Sequence, residues 1–334
     1  MKIAVVGATG LVGREMLAVL AERGFGNEEV IAAASERSVG RQIDFAGRQL
    51  TVVGVDDAIA MRPHFAVFSA GADASRQYAP RFAANGTTVI DNSSAWRKDP
   101  QVPLVVPEIN MAAATQALKQ SSNQAIIIAN PNCSTIQMVL ALSALQREYG
   151  LRRLVIATYQ SITGTGIRAV RQLEAEEHGQ QPGEQAYPFP IHRNLFPHGG
   201  DFLPDGYTTE ERKLVDETRK IYADPSIDIT ATVVRVPVVG GHSEAVNVEL
   251  RREYNLDDVR RLIADTPGVI LYDDPARNQY PMPILAHHRD EVWVGRLRRD
   301  PSRPNSLNLW VVADNIRKGA ATNAIQIMET LIAQ

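Results

Sequence analysis

Apolar and polar positions alternate along the first third of the chain in a way that predicts strands and helices in turn. Residues 2–6 (KIAVV) read as a short buried strand, and Leu11 to about Arg23 has the amphipathic spacing of a helix. Further strands are expected at 30–34, 65–69 and 87–90, with a helix near 75–84. The β-branched run 125–129 reads as one more buried strand, stopped by Asn130-Pro131-Asn132. From Ser134 onward, Ile136, Met138, Val139, Leu140, Leu142 and Leu145 give the density of a buried helix. Strands alternating with helices predict a mostly parallel sheet covered by helices.

After this helix the texture changes. Residues 151–160 and 229–239 read as long strands, with a helix near 168–177 and an irregular stretch, roughly 179–207, expected as an extended loop. Residues 207–222 form a charged helix with Thr208 or Thr209 as its N-cap. Strands follow at 244–250, 292–297 and 307–312. Small residues (Ala320, Ala321, Ala324) on the last helix permit close packing, so it is read as returning to the first domain. The expected architecture is α/β: an N-terminal Rossmann-type dinucleotide-binding domain (1–130 with 314–334) plus an α+β catalytic and dimerisation domain (131–313) with a large mixed sheet.

Length supports two domains, since 334 residues exceed the usual single core. A net charge of −3 gives no reason to expect a polyanion partner, nucleic acid included. A single cysteine excludes an intramolecular disulfide framework and a cysteine-rich zinc site. No run approaches the ~18 apolar residues of a membrane span. Glycines interrupt the first apolar run and Arg14 and Glu15 follow it, unlike a secretory leader. A cytoplasmic protein is expected.

The candidate chemistry lies at the strand ends. Gly7-Ala8-Thr9-Gly10-Leu11-Val12-Gly13 places a glycine-rich turn between strand and helix, where a backbone can approach a pyrophosphate resting on the helix N-terminus. At the end of the second strand, Ser35, Arg37 and Ser38 suit a ribose 2′-phosphate, which favours NADP; Glu36 keeps NAD open. Gly71, after the strand at 65–69, is a further cofactor edge. Arg97 can bind an anion bidentately, although an arginine taken alone is more often a surface charge. Cys133 falls at a helix N-terminus, where orphan N–H groups and the helix dipole favour a thiolate. A lone cysteine is commonly buried and inert, but flanking Asn132, Ser134 and Thr135 make this setting polar, and Cys133 is taken as a nucleophile. Glu210 and Lys213 share a helix face, a pairing that is usually a solvated salt bridge. Arg235 lies within a strand, where a charge needs a partner. His242, after Gly240-Gly241, is the best acid/base candidate among seven histidines. His192, His198 and Asp201 match no zinc spacing, and no metal site is expected. A dinucleotide domain, a helix-cap cysteine and a distant histidine together point to thiolate attack on an activated carbonyl followed by hydride transfer.

Five segments in order, GATGLVG, NPNCST, TYQSITGTG, RVPVVGGHSEAV and DNIRKGAATNA, resemble the aspartate-semialdehyde dehydrogenase family, and the resemblance covers essentially the whole chain. It implies Cys133 as nucleophile, His242 as acid/base and Gln160 as a substrate-orienting group. It implies that Arg97 and Lys213 hold phosphate, that Arg235 clamps the α-carboxylate, that Glu210 meets the α-amine and that Asn132 lies near the oxyanion. Gly7, Thr9, Gly10, Leu11, Val12 and Gly13 would cradle the cofactor, with Ser35, Arg37 and Ser38 at the 2′-phosphate and Gly71, Gly164 and Asn315 as further cofactor contacts. The implied reaction is NADP-dependent reductive dephosphorylation of L-aspartyl-4-phosphate, by a homodimer or homotetramer. Rival readings are N-acetyl-γ-glutamyl-phosphate reductase, from which the NCST motif departs, a malonyl-CoA reductase relative, a non-catalytic NADP sensor and a cysteine hydrolase.

Overall fold

The computed structural model describes residues 1–121 and 125–333, in two units: Met1–Asn132 with the segment from Ala320 onward, and Cys133–Gly319. The first unit begins with β1 (Lys2–Val6), followed by α1 (Leu11–Glu22), β2 (Glu29–Ala34), a hairpin of β3 (Gln42–Phe45) and β4 (Arg48–Thr51), and β5 (Val53–Gly54). Next come α2 (Val55–Ala60), β6 (Phe65–Phe68), α3 (Ala72–Ala84), β7 (Thr88–Asp91), α4 (Pro107–Gln120) and β8 (Ile127–Ala129). Six strands pair in parallel in the order β5-β2-β1-β6-β7-β8. Ile3, Ala4, Val5 and Val6 are fully buried because helices cover both faces of the sheet. On one face Met16 and Leu20 of α1 join Val5 and the C-terminal helix (Thr322–Ile332) through Ile325 and Met328. On the other, Phe82 of α3 meets Phe68 edge-on at 5.4 Å. Strand order reverses at β1 and β6, so their carboxyl ends open the crevice where such sheets take ligands.

The second unit starts at α5 (Cys133–Tyr149) and continues through β9 (Leu151–Ser161), α6 (Ile167–Glu177), α7 (Thr209–Tyr222), β10 (Asp228–Val236) and β11 (His242–Leu250). It ends with α8 (Leu256–Ala264), β12 (Val269–Leu271), α9 (Pro283–Ala286), β13 (Val292–Arg299) and β14 (Ser306–Ala313). The sheet order is β10-β9-β11-β14-β13-β12, with parallel pairs at both edges and antiparallel pairs between. The strand period of two divides its faces: Leu154, Ile156, Thr158 and Gln160 of β9 are buried, while Val155, Ala157 and Tyr159 on the opposite face are not. Helix α5 packs against β9, β11, β13 and β14, and its residues Ser134–Leu142 are all buried.

The returning segment groups with the first unit from Ala320 onward, and residues 314–319 group with the second. The reason is local bonding: Asp314 accepts from His288 N–H at 2.8 Å, Asn315 accepts from Thr163 Oγ at 3.0 Å, and Arg317 donates to Asp290 at 2.8 Å, all within the second unit. The stretch 179–207 contains no helix or long strand, yet it is tied down. Glu176 Oε2 accepts the N–H groups of Ile191 and His192, Gln172 Oε1 accepts those of Ala186 and Tyr187, and Ile191 and Phe196 pack on Ile162 and Leu173. Phe196 then exchanges two main-chain hydrogen bonds with Arg235, at 2.9 and 2.7 Å.

Helix α7 begins with a reciprocal cap. Thr208 Oγ accepts from Glu211 N–H, and Glu211 returns with Oε2 to the Thr208 N–H while Oε1 takes the Val233 N–H of β10. Thr208→Ala is expected to cost about 1 kcal/mol. Glu211→Ala, which strips buried N–H groups at two elements, should cost about 1–3 kcal/mol. Urea midpoints of the two variants measure the ranking.

Candidate active site

The glycine turn of the first unit leaves no room for side chains. A Cβ on Gly13 would stand 2.1 Å from the Gly7 carbonyl oxygen, and one on Gly7, whose φ is +90°, would stand 2.3 Å from the Ser69 oxygen. Gly7 is thus pressed onto the end of β6, and α1 onto the turn. Helix α1 has no side-chain cap at Gly10, so the first N–H groups of Leu11, Val12 and Gly13 stay available for an anion. Beside them lies a cleft of ≈ 340 Å³ whose walls include Gly7, Ser35, Glu36, Arg37, Ala70 and Tyr78. Ser38 is buried, with its Oγ 3.5 Å from Thr9 Oγ, while Arg37 is exposed. Gly71 caps α3 with φ +85°. The turn and cleft fit a dinucleotide: donors for a pyrophosphate, a cavity for the adenosine half, and Arg37 with Ser35 at its edge.

Cys133 is the first residue of α5 and forms no disulfide. It is half-buried, and Gly319 lies directly against it: a Cβ there would come within 2.8 Å of Cys133 Cβ. Asn132, the preceding residue, is buried at the end of the first unit. Two hydrogen bonds hold the start of α5 to the sheet. Gln160 Nε2 donates to Ser134 Oγ at 2.9 Å, and Gln137, one turn beyond Cys133, donates to the His242 carbonyl at 3.2 Å. Gln160 Oε1 is fully buried with no hydrogen-bond partner among the described residues. His242 is fully buried; its Nδ1 accepts the Ser161 N–H at 3.0 Å. Burial first, and the Arg235 guanidinium second, lower its pKa to about 3 against an opposing contribution from Glu210.

Arg235 finds its strand partner in the Ser161 carbonyl, reached by Nη1 at 2.9 Å, while its buried Nε has none. A Cβ on Gly164 would meet both Arg235 Nη1 at 2.8 Å and His242 Nε2 at 3.3 Å, so the 162–165 turn lies across both side chains. Glu210 and Lys213 bond each other at 2.7 Å, with Glu210 buried rather than solvated. Asn315 is buried and its Oδ1 accepts from Thr163 Oγ and the Gly241 N–H. Arg97, in the first unit, is buried and donates to the Asn92 carbonyl at 2.8 Å; it is not the surface charge that an arginine taken alone suggests. His192 and His198 do not gather ligands. The metal-capable trio among the described residues is His287, His288 and Asp314. There Asp314 is already engaged by the His288, Ile316 and Arg317 N–H groups and by His287.

Two family models match this chain: a semialdehyde dehydrogenase NAD binding domain over residues 2–117 and a semialdehyde dehydrogenase dimerisation domain over 142–318. An aspartate-semialdehyde dehydrogenase of Aquifex aeolicus is 47% identical over 339 residues, covering 100% of this chain and 98% of its own. The chain belongs to the aspartate-semialdehyde dehydrogenase family. The family member of Bacillus subtilis is 41% identical over 98% of this chain and 96% of its own. A Vibrio cholerae aspartate semialdehyde dehydrogenase II, in a crystal structure complexed with ASA, superposes with a TM-score of 0.94 at 42% identity, covering 100% of this chain and 98% of its own.

Several groups that build the site in this family member carry no separate sequence signal. Asn130, where β8 ends, takes part in bonds to Asn92, Ala320 and Asn323, and so fixes the turn that leads to the cysteine. Ser161 acts through its main chain. Gln137 has the one discernible signal, a position four residues after the cysteine and hence on the same helix face. Glu244 is fully buried on β11, its carboxyl raised well above the usual range by burial, with Gln137 as its polar neighbour. A raised native pKa makes the folded state bind more protons than the unfolded one above pH 4.5, so Glu244 weakens stability progressively as pH rises. Glu244→Gln should therefore raise the unfolding midpoint at pH 8 and leave it unchanged at pH 4. Thermal unfolding of both proteins across that range is the check.

Proposed function

We propose that the chain catalyses the NADP-dependent reductive dephosphorylation of L-aspartyl-4-phosphate to L-aspartate-4-semialdehyde, in the biosynthesis of aspartate-family amino acids, through a thioacyl group on Cys133. The observation that carries the reading is the placement of this single thiol on the first turn of α5, tied through Ser134 to Gln160 and through Gln137 to His242. The helix N-terminus favours the thiolate that must attack the acyl phosphate. Gln160, whose buried Oε1 has no hydrogen-bond partner among the described residues, is assigned to orienting the substrate. The Arg235 guanidinium clamps the α-carboxylate, and Glu210, already held against Lys213, offers a carboxylate to the α-amine. Lys213 and Arg97 are assigned to the phosphate, and Asn132 with the Cys133 N–H to the oxyanion.

The dinucleotide supplies a hydride to the acyl carbon. Gly7, Thr9, Gly10, Leu11, Val12 and Gly13 would hold its pyrophosphate, Ser35, Arg37 and Ser38 its 2′-phosphate, and Gly71, Gly164 and Asn315 further parts of it. Residues 1–130 with 314–334 are assigned to cofactor binding and 131–313 to catalysis and dimerisation; the bonds of residues 314–319 attach that stretch to the second part. The matching dimerisation model and the half-exposed Tyr159–Trp310 face of the second sheet support a homodimer. No described helix is long and apolar enough to cross a membrane, which is compatible with the cytoplasm.

Reduction of NADP⁺ with L-aspartate-4-semialdehyde, run beside NAD⁺ and with inorganic phosphate present or omitted, tests the reading. Turnover is expected to need phosphate and to prefer NADP⁺. Cys133→Ala should abolish turnover while leaving NADP⁺ affinity within about twofold, because it removes the nucleophile and touches none of the glycine turn. Activity with N-acetylglutamate semialdehyde alone would move the substrate and keep the chemistry.

A further inference from the structure

The stretch between α6 and α7 has no helix of its own, yet its last part meets the two groups assigned to the amino-acid end of the substrate. Strand β10 is an edge of the second sheet, and Arg235 turns both of its main-chain groups outward there. Its N–H donates to the Phe196 carbonyl at 2.7 Å and its carbonyl accepts the Phe196 N–H at 2.9 Å. Phe196 is anchored in turn: its ring stacks on Tyr187 at 5.2 Å with the planes 11° apart, and it packs with Ile162 and Leu173. Asp201 makes the matching attachment at α7. Its carbonyl accepts the Thr209 N–H at 2.8 Å and its own N–H donates to Thr209 Oγ at 3.0 Å, so the residue before Glu210 is held twice. Between these ends the His198 ring lies flat against Phe202, with centroids 4.4 Å apart.

Gly199 locks the middle of the segment. A Cβ there would stand 2.8 Å from Val233 Cγ1, and 3.4 and 3.5 Å from Glu210 Cβ and Cγ, so a glycine lets the chain lie in the slot between β10 and α7. Val233 and Arg235 fall on one face of β10, and the Val233 N–H is held by Glu211, the neighbour of Glu210. Arg235 and Glu210, both buried, are thereby tied to one short piece of chain. We propose that residues 196–201 are a brace that fixes the spacing between the Arg235 guanidinium and the Glu210 carboxylate, and so makes the site selective for a substrate bearing both an α-carboxylate and an α-amine. This rests on the assignment of those two groups to the substrate's charged end. Two charge-assisted hydrogen bonds form together only where their partners stand at the matching distance. Ordering them before the substrate arrives removes that cost from binding. An analogue lacking one group leaves its buried partner unsatisfied and is rejected. Phe196, Gly199 and Asp201 touch no reacting atom; they are positioning residues, and their effect falls on KM and selectivity.

Steady-state kinetics of the full chain with NADP⁺ and phosphate, on L-aspartate-4-semialdehyde and on succinate semialdehyde, read the brace. The second aldehyde keeps the carboxylate and lacks the amine. Gly199→Ala is the first variant, since its methyl group must lift the segment off Val233 and Glu210. Its preference for the amino substrate, the ratio of the two kcat/KM values, should fall about tenfold, near the lower end of what a hydrogen bond to a charged group contributes. The loss should lie in KM for aspartate semialdehyde, with kcat within about twofold. Adding Val233→Ala, which makes room for the methyl group, should restore most of the preference. Thr209→Val, which removes the hydroxyl held by Asp201, should lower it in the same direction without crowding the slot. Iodoacetamide should alkylate Cys133 at the wild-type rate in all three. An unchanged ratio, equal losses on both aldehydes, a ratio that Val233→Ala does not restore, or an altered alkylation rate overturns the proposal, as does a wild type with no preference for the amine. If the wild type turns over neither aldehyde, the reaction assignment fails and the brace falls with it; turnover of aspartate semialdehyde with any of the contrary results sinks the brace alone.

Discussion

Helix α5 has no solvent-facing side from Ser134 to Leu142, and the second unit is arranged around that constraint. A polar side chain on such a helix must find a partner, since a buried group left unsatisfied costs about 1–3 kcal/mol. Ser134 finds Gln160 and Gln137 finds the His242 carbonyl, on the neighbouring strands β9 and β11. These bonds fix where the helix begins, and Cys133 is its first residue. The relation between nucleophile and imidazole is thus a by-product of satisfying the core. Gly319 completes it from the other side, because any larger residue would push the cysteine off its turn.

The same burial sets the charge states. His242 and Glu244, both on β11 and both fully buried, are driven toward neutrality in opposite directions, the imidazole by resisting a proton and the carboxyl by keeping one. Negative charge is instead accommodated where backbone donors wait: at the N-terminus of α1 after the glycine turn, and at the N-terminus of α5 under the thiol.

Much of this was legible in the chain. The β-branched run 125–129 marked β8, apolar runs marked β1, β6 and β9, the glycine turn marked the first strand–helix junction, and Thr208 marked the start of α7. The NPNC turn marked the cysteine as a helix start, and Cys133 is the first residue of α5. Other features left no trace because their cause is tertiary. The β3–β4 hairpin does alternate, with Ile43, Phe45 and Leu50 turned to the core, but its strands are four residues each, too short for the period to stand out, and α4 starts at a proline with a weak apolar stripe. Residues 314–319 look like the approach to the final helix, yet bonds from His288, Thr163 and Asp290 claim them for the second unit. Glu210 and Lys213 could be read as a face-sharing pair, but only packing shows that the carboxylate is buried. His242 Nδ1 accepts a main-chain N–H eighty-one positions away, and no side-chain pattern announces it.

The central claim is that acyl transfer passes through Cys133. The direct measurement is a single-turnover experiment with L-aspartate-4-semialdehyde and NADP⁺ in the absence of phosphate, followed by peptide mass analysis. The account predicts a burst of about one NADPH per site and an aspartyl group on the Cys133 peptide that inorganic phosphate releases. NADPH formed in a burst with no mass added at Cys133, or with the mass on another residue, would contradict it.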